Sequence, residues 1–221
     1  MKIQIIVVVF LLSTISCVSQ KREMISKSTI KLEGRNTNIR DLIEINGYYQ
    51  RMDSTGSASY RMFFEDGTYV ALFWFKEGVT EDMKRENLSQ AIVSWKQKGQ
   101  VRWGIRWGVY KIEKDTIIGQ FFQVGTFLGG GWWKCEEQKY EIIDKRTLKL
   151  VYSKSLFKDD ERYDMNKYPY EISKKNYVYE FVPADSLPSS DCWLKEKKWI
   201  WRNESDWKDY MEKIKQEKKK K

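Results

Sequence analysis

Ser59-Tyr60-Arg61-Met62-Phe63-Phe64-Glu65, then Asp66-Gly67, then Thr68-Tyr69-Val70-Ala71-Leu72-Phe73-Trp74-Phe75 is the stretch on which the fold turns. Two runs rich in aromatic and β-branched residues flank Asp-Gly, the dipeptide favoured in a tight type I′ hairpin. The second run is apolar on both faces: Tyr69, Ala71, Phe73 and Phe75 alternate with Val70, Leu72 and Trp74. A strand of that kind is buried, or borders a cavity and a second layer.

The same texture repeats outward from this hairpin. Asn46-Gly47-Tyr48-Tyr49-Gln50 starts a strand. Residues 77–90 are polar with room for a helical turn, and a weak strand is expected over Ala91–Trp95. Trp103–Glu113 and Asp115–Gln123 form a second hairpin around Lys114. After a flexible Gly129-Gly130-Gly131, Trp132–Asp144 and Thr147–Ser153 form a third around Lys145-Arg146. Leu148, Leu150 and Tyr152 alternate with Lys149 and Val151, the period of a strand. Leu156–Tyr170 reads as a charged loop, Asn176–Val182 as another strand and Trp193–Trp201 as the last. The expected class is all-β: an antiparallel up-and-down β-barrel of about eight to ten strands, closed because open edges invite aggregation. A two-layer sandwich is the alternative. Beyond Asn203 the period changes. Trp207, Tyr210, Met211 and Ile214 fall at i, i+3, i+4 and i+7, the stripe of a C-terminal amphipathic helix. That stripe either packs on the barrel or lies on a membrane surface.

Composition narrows the function. Among 221 residues there is no histidine, which excludes a Ser-His-Asp triad, a Cys-His pair and any His-ligated metal. No Cys-x-x-Cys occurs, so thiol redox chemistry is not expected. Gly129-Gly130-Gly131 lacks the Lys-Ser/Thr of a phosphate loop. An aromatic share of 15% argues against disorder. The formal charge of +9 is concentrated at Lys195, Lys197 and Lys198 and in Lys218–Lys221. Such runs either stay solvated or meet anionic head groups. Cys135 and Cys192 either form a disulfide or remain as two buried thiols.

The N-terminus reads as an address. Met1-Lys2 is followed by an apolar run to Leu12 and by Ser13-Thr14-Ile15-Ser16-Cys17. This is the plan of a secretory signal peptide, with an apolar run about half as long as a bilayer span. Ser13–Cys17 resembles the lipobox of bacterial lipoproteins, with Thr14 where Leu is usual. The resemblance implies lipidation of Cys17; ordinary secretion is the rival reading. Four parts are expected: a lipoprotein signal peptide over 1–16, a tether over 17–44, the barrel over 45–202, and a helix with a Lys-rich tail over 203–221. Within the tether a short helix is expected near Ile39–Ile43.

Three stretches together look like the lipocalin-like lipoproteins of Bacteroidetes. They are Asn46–Tyr49, Trp107-Gly108-Val109-Tyr110-Lys111-Ile112-Glu113-Lys114-Asp115-Thr116-Ile117-Ile118, and Tyr140–Leu150. Gly47-Tyr48-Tyr49 sits where lipocalins carry Gly-x-Trp. The resemblance implies a calyx for a small apolar molecule. Candidate lining residues are Phe64, Phe73, Phe75, Trp107, Phe122, Tyr152, Tyr177 and Tyr179; the alternative is that these rings fill a core. Trp132-Trp133 suits either stacking on a partner or burial over the barrel end. Asp159-Asp160-Glu161 and Asp164 lack the spacing of a calcium loop. The expectation is a non-enzymatic envelope protein without cofactor, lipid-anchored at the outer membrane, that binds a small apolar ligand and no nucleic acid. The alternative is an interaction or assembly module for an envelope protein.

Overall fold

The computed structural model describes residues 22–23, 25–52, 58–74, 105–127, 130–156, 177–185, 187 and 189–219. Eight strands follow one another: β1 (Gly47–Met52), β2 (Ala58–Phe63), β3 (Thr68–Trp74), β4 (Ile105–Glu113), β5 (Thr116–Phe127), β6 (Gly130–Asp144), β7 (Thr147–Ser155) and β8 (Val178–Pro183). Each pairs antiparallel with the next, and β8 returns to β1, so the sheet closes as an up-and-down barrel. Closure removes both sheet edges. The architecture is consistent with a calycin-like fold. Helix α1 (Glu204–Lys219) follows.

Contacts between strands that are not neighbours identify the lumen face. Phe63 on β2 meets the rings of Tyr110 on β4 and Tyr140 on β6, at centroid distances of 5.5 and 6.0 Å. Tyr140 also meets Tyr179 on β8 at 5.9 Å. These side chains, with Tyr49, Tyr69, Phe121, Leu148 and Phe181, form one buried core inside the wall. The alternate residues Tyr60, Met62, Val70, Trp107, Val109, Ile118 and Phe122 form a second core with flanking segments of the chain. This explains why β3 reads as apolar on both faces. Ile30 and Leu32 before β1, and Leu194 and Ile200 after β8, cover the outer wall. The two covers are stitched together: Leu32 N–H donates to Ile200 C=O and Arg202 N–H to Leu32 C=O, both at 2.8 Å.

One barrel end is plugged. A short 3-10 turn, Ile39–Asp41, with Ile43 and Ile45 behind it, sends buried aliphatic side chains into the lumen core. Thr37 N–H donates to Glu65 C=O and Glu44 N–H to Lys145 C=O, fixing the plug to the β2–β3 and β6–β7 turns.

The structure changes several expectations. Residues 28–44 are not merely a tether: Ser28, Ile30, Leu32, Ile39 and Ile43 are buried against the barrel. Residues 193–201 do not form a strand. They make turns and the 3-10 segment Lys198–Ile200, with one bridge from Trp201 to Leu32. Gly130 and Gly131, expected as a flexible link, instead open β6 by pairing with Phe127 and Thr126, and Trp132 and Trp133 continue the strand as expected. The β2–β3 turn is not type I′. Gly67 alone is left-handed (φ 86°), and its N–H donates to Phe64 C=O while the Asp66 carboxylate caps Thr68 N–H. Type I′ would need the left-handed region at Asp66 as well. The expected Ala91–Trp95 strand, the signal segment, Cys17, Phe75 and the acidic residues 159–164 lie outside the described residues.

Candidate functional site

The lumen is layered. Nearest the plug it is filled by aromatic rings, and Tyr69 lies flat over Gly108 and Gly119. A Cβ on either glycine would sit 2.4 or 2.7 Å from that ring, so the wall admits only glycine there. Further in, the chemistry turns polar. Arg61, 1% exposed, donates through Nε to Tyr140 Oη at 2.5 Å, through Nη1 to Tyr60 C=O at 2.8 Å and through Nη2 to Gln138 Oε1 at 3.3 Å. Tyr140 O–H donates to Gln138 Oε1, and Gln138 Nε2 to Ser153 Oγ at 3.3 Å. Ser59 Oγ donates to Tyr179 Oη at 3.1 Å. Burial opposes the charge on Arg61, but the phenolic oxygens of Tyr140 and Tyr179 outweigh it and raise the pKa, so the guanidinium stays protonated. Arg106 spans from β4 to β6 to pair with Glu136 at 3.1 Å, its guanidinium 5.1 Å from the Phe121 ring centre.

This polar layer is a floor. From Gln138 the β6 strand runs on to Gly130, paired with β5 throughout, which is about 25 Å of further wall at the usual strand rise. The barrel thus has the outline of a cup: a wall closed round its girth and plugged at one end, a hydrogen-bonded layer across it, and one taller side formed by β5 and β6.

Among the candidate lining residues whose side chains are described, Tyr179 and Tyr177 lie at this lumen. Tyr179 stacks beneath Arg61, and Tyr177 lies 4.4 Å from the Arg51 guanidinium beside the same core. Phe64, Trp107 and Phe122 lie on the other side of the wall. Phe64 stacks on Trp107 at 5.9 Å, and Phe122 meets Trp199 edge-on at 5.3 Å under the C-terminal cover. Tyr152 pairs with Lys139 beyond a bulge in β7, with the Lys139 ammonium 4.9 Å from its ring. Phe73 stands in β3 opposite Ser59. Cys135 and Cys192 are both free and buried in the outer core, where burial raises both thiols, Cys192 to about 12. Arg61, Arg106, Glu136 and Gln138 escape a reading based on apolar stripes. For Arg61 and Arg106 the signal is a single charged residue in an otherwise apolar run, as in Tyr60-Arg61-Met62-Phe63; Glu136 and Gln138, within Cys135-Glu136-Glu137-Gln138-Lys139, carry none.

A second concavity lies outside the barrel. A groove of about 600 Å³ runs between the β2–β3 turn and α1, lined in part by Asp66, Asp191, Lys195, Trp201, Asp209 and Tyr210. Lys195 is buried beneath it, bonded to Asp66 at 2.6 Å and lying 5.3 Å from the Tyr210 ring centre. Among the described residues no cluster of acidic or thiol side chains has the arrangement to hold a metal ion.

The chain matches no family model, no curated protein and no solved structure.

Proposed function

We propose that this chain is an exported, lipid-anchored binding protein of the cell envelope that holds a small, largely apolar molecule in the barrel and does no chemistry on it. The observation that carries the reading is the one-ended cup: a closed eight-stranded wall with a plug at one end and strands that continue past a polar floor. Concave sites at barrel mouths, mostly apolar with a few placed polar groups, are where small ligands bind. Tyr177, half-buried beside the lumen core, offers apolar surface, and the floor offers polar groups that fix orientation. The anchor is Cys17 at the end of the signal-like segment; each acyl CH₂ buried in a bilayer contributes about 0.8 kcal/mol.

Titration of an environment-sensitive apolar dye, followed by displacement with envelope lipid extract, tests the binding. Saturable, displaceable fluorescence is expected; a linear, unsaturable signal contradicts the reading. Intact-mass measurement of membrane-derived protein tests the anchor. An acyl mass on the wild type that is lost in Cys17→Ser is expected, and an acyl-free wild type contradicts it.

The second reading, an envelope interaction module, is favoured by the groove beside α1. Its volume falls within the range of specific sites, and its Trp201–Tyr210 pair, at 5.5 Å, is partly exposed. Pull-down from envelope extract with and without residues 205–221 separates the two: a partner lost on truncation supports the module, and unchanged partners remove it.

A further inference from the structure

Helix α1 carries an apolar stripe that the fold covers only in part: Trp207, Tyr210, Met211 and Ile214 are each half-buried. None of its residues is buried, and Trp207, Tyr210, Met211 and Ile214 belong to neither core. Its first two turns lean on the C-terminal cover: Trp207 Nε1 donates to Glu196 C=O at 3.2 Å, and the Tyr210 ring meets Trp201. Beyond Ile214 every described residue is exposed. Charge is divided along the helix in the same way. Glu204, Asp206 and Asp209, against Lys208, fill the half that leans on the protein. Lys213, Lys215, Lys218 and Lys219 fill the other half, against Glu212 and Glu217, and the sequence continues with Lys220 and Lys221.

The root of the helix also lies beside the N-terminal segment. Trp201 bridges Leu32, and Gly34 packs against the Asp206 side chain. Cys17 is fifteen residues before Leu32, so a fully extended chain places it within about 50 Å of that bridge. The lysine-bearing half of α1 is thus attached at the point from which the chain runs back to the proposed anchor.

We propose that the distal half of α1 docks on an anionic lipid surface, its lysines meeting phosphate head groups and Ile214 lying at the interface. Lysine-rich amphipathic helices bind membranes in this way, and the attraction is screened by salt. The inference concerns a surface outside the barrel and stands apart from the ligand in the cup. It shares the membrane location of the lipid-anchor reading without needing the acyl chain.

The test is flotation of the full chain with vesicles of phosphatidylcholine alone or mixed with phosphatidylglycerol. The N-terminal segment is common to both arms. Expected is at least about tenfold more binding to the anionic vesicles, lost at high salt and lost in Lys215→Glu/Lys218→Glu/Lys219→Glu, whose exposed positions leave the fold intact. Equal binding to both vesicles, or a preference unchanged in the triple variant, overturns the proposal. Cys17→Ser separates it from the anchor. Loss of binding to neutral vesicles with the anionic preference kept supports an independent helix site. Loss of the anionic preference as well assigns all attachment to the acyl chain and overturns the helix site.

Discussion

Arg61 Nε donates to the Tyr140 hydroxyl at 2.5 Å across the lumen, joining β2 to β6, strands on opposite sides of the barrel. Tyr69, on the next strand, is equally buried, yet its hydroxyl has no hydrogen-bond partner among the described residues. The same edit at the two positions is therefore expected to differ. Tyr140→Phe removes a bond to a buried charge and costs about 1–3 kcal/mol, whereas Tyr69→Phe removes an unpaired polar atom and is neutral or stabilising. Urea midpoints of the two variants check this. A larger loss for Tyr69→Phe contradicts the assignment.

The Asp66–Lys195 pair ties the β2–β3 turn to the C-terminal cover. Burial raises the Asp66 carboxyl, but Lys195 and the hydroxyls of Ser190 and Thr68 outweigh it, and the folded pKa is lowered. A lowered folded value means the stabilisation is complete above the unfolded carboxylate pKa, about 3.9, and is lost as pH falls through the lower folded value. Asp66→Asn should be less stable than wild type at neutral pH by about 1–3 kcal/mol, with the gap closing in acid. A gap that is constant with pH would show that the pair does not act through its charge.

Both thiols sit in the outer core with raised pKa values, so neither presents thiolate at neutral pH. Maleimide labelling of the folded chain should be negligible at Cys135 and Cys192, and complete at both in denaturant without reductant. Absence of labelling in denaturant would reveal a disulfide and a rearranged outer layer.

The N-terminal cover is part of the fold. Leu32 is 2% exposed and its backbone bonds both ways to the C-terminal cover. Leu32→Ala should cost about 2–4 kcal/mol in thermal or urea unfolding. An unchanged midpoint would mean that this segment is dispensable to the barrel.

Most of the wall was legible because its strands are rich in aromatic and β-branched residues, several alternate with a period of two, and turn residues bound them. Thr147–Ser155 shows this in its Leu148, Leu150 alternation, and Asp66-Gly67 marks its hairpin even though the turn closes differently. The inside of the barrel was not legible. Burial by the two covers makes the outer face as apolar as the inner one, so Trp107 and Phe122 look the same in sequence as Phe63 and Phe121. Trp193–Trp201 misleads for the same reason: its aromatics face the wall, but its backbone turns instead of pairing. The polar floor was hidden because Arg61 finds its partners on β6, far away in sequence.

The cup itself is tested most directly by narrowing it. Ser153, 8% exposed at the floor and bonded to Gln138, is a small residue on the lumen side of β7. Ser153→Trp adds an indole on the lumen side at the level of the floor. With the β-rich circular dichroism spectrum retained, saturable dye binding should disappear in this variant. Dye binding of unchanged affinity and stoichiometry would show that the barrel interior is not where a small molecule is held.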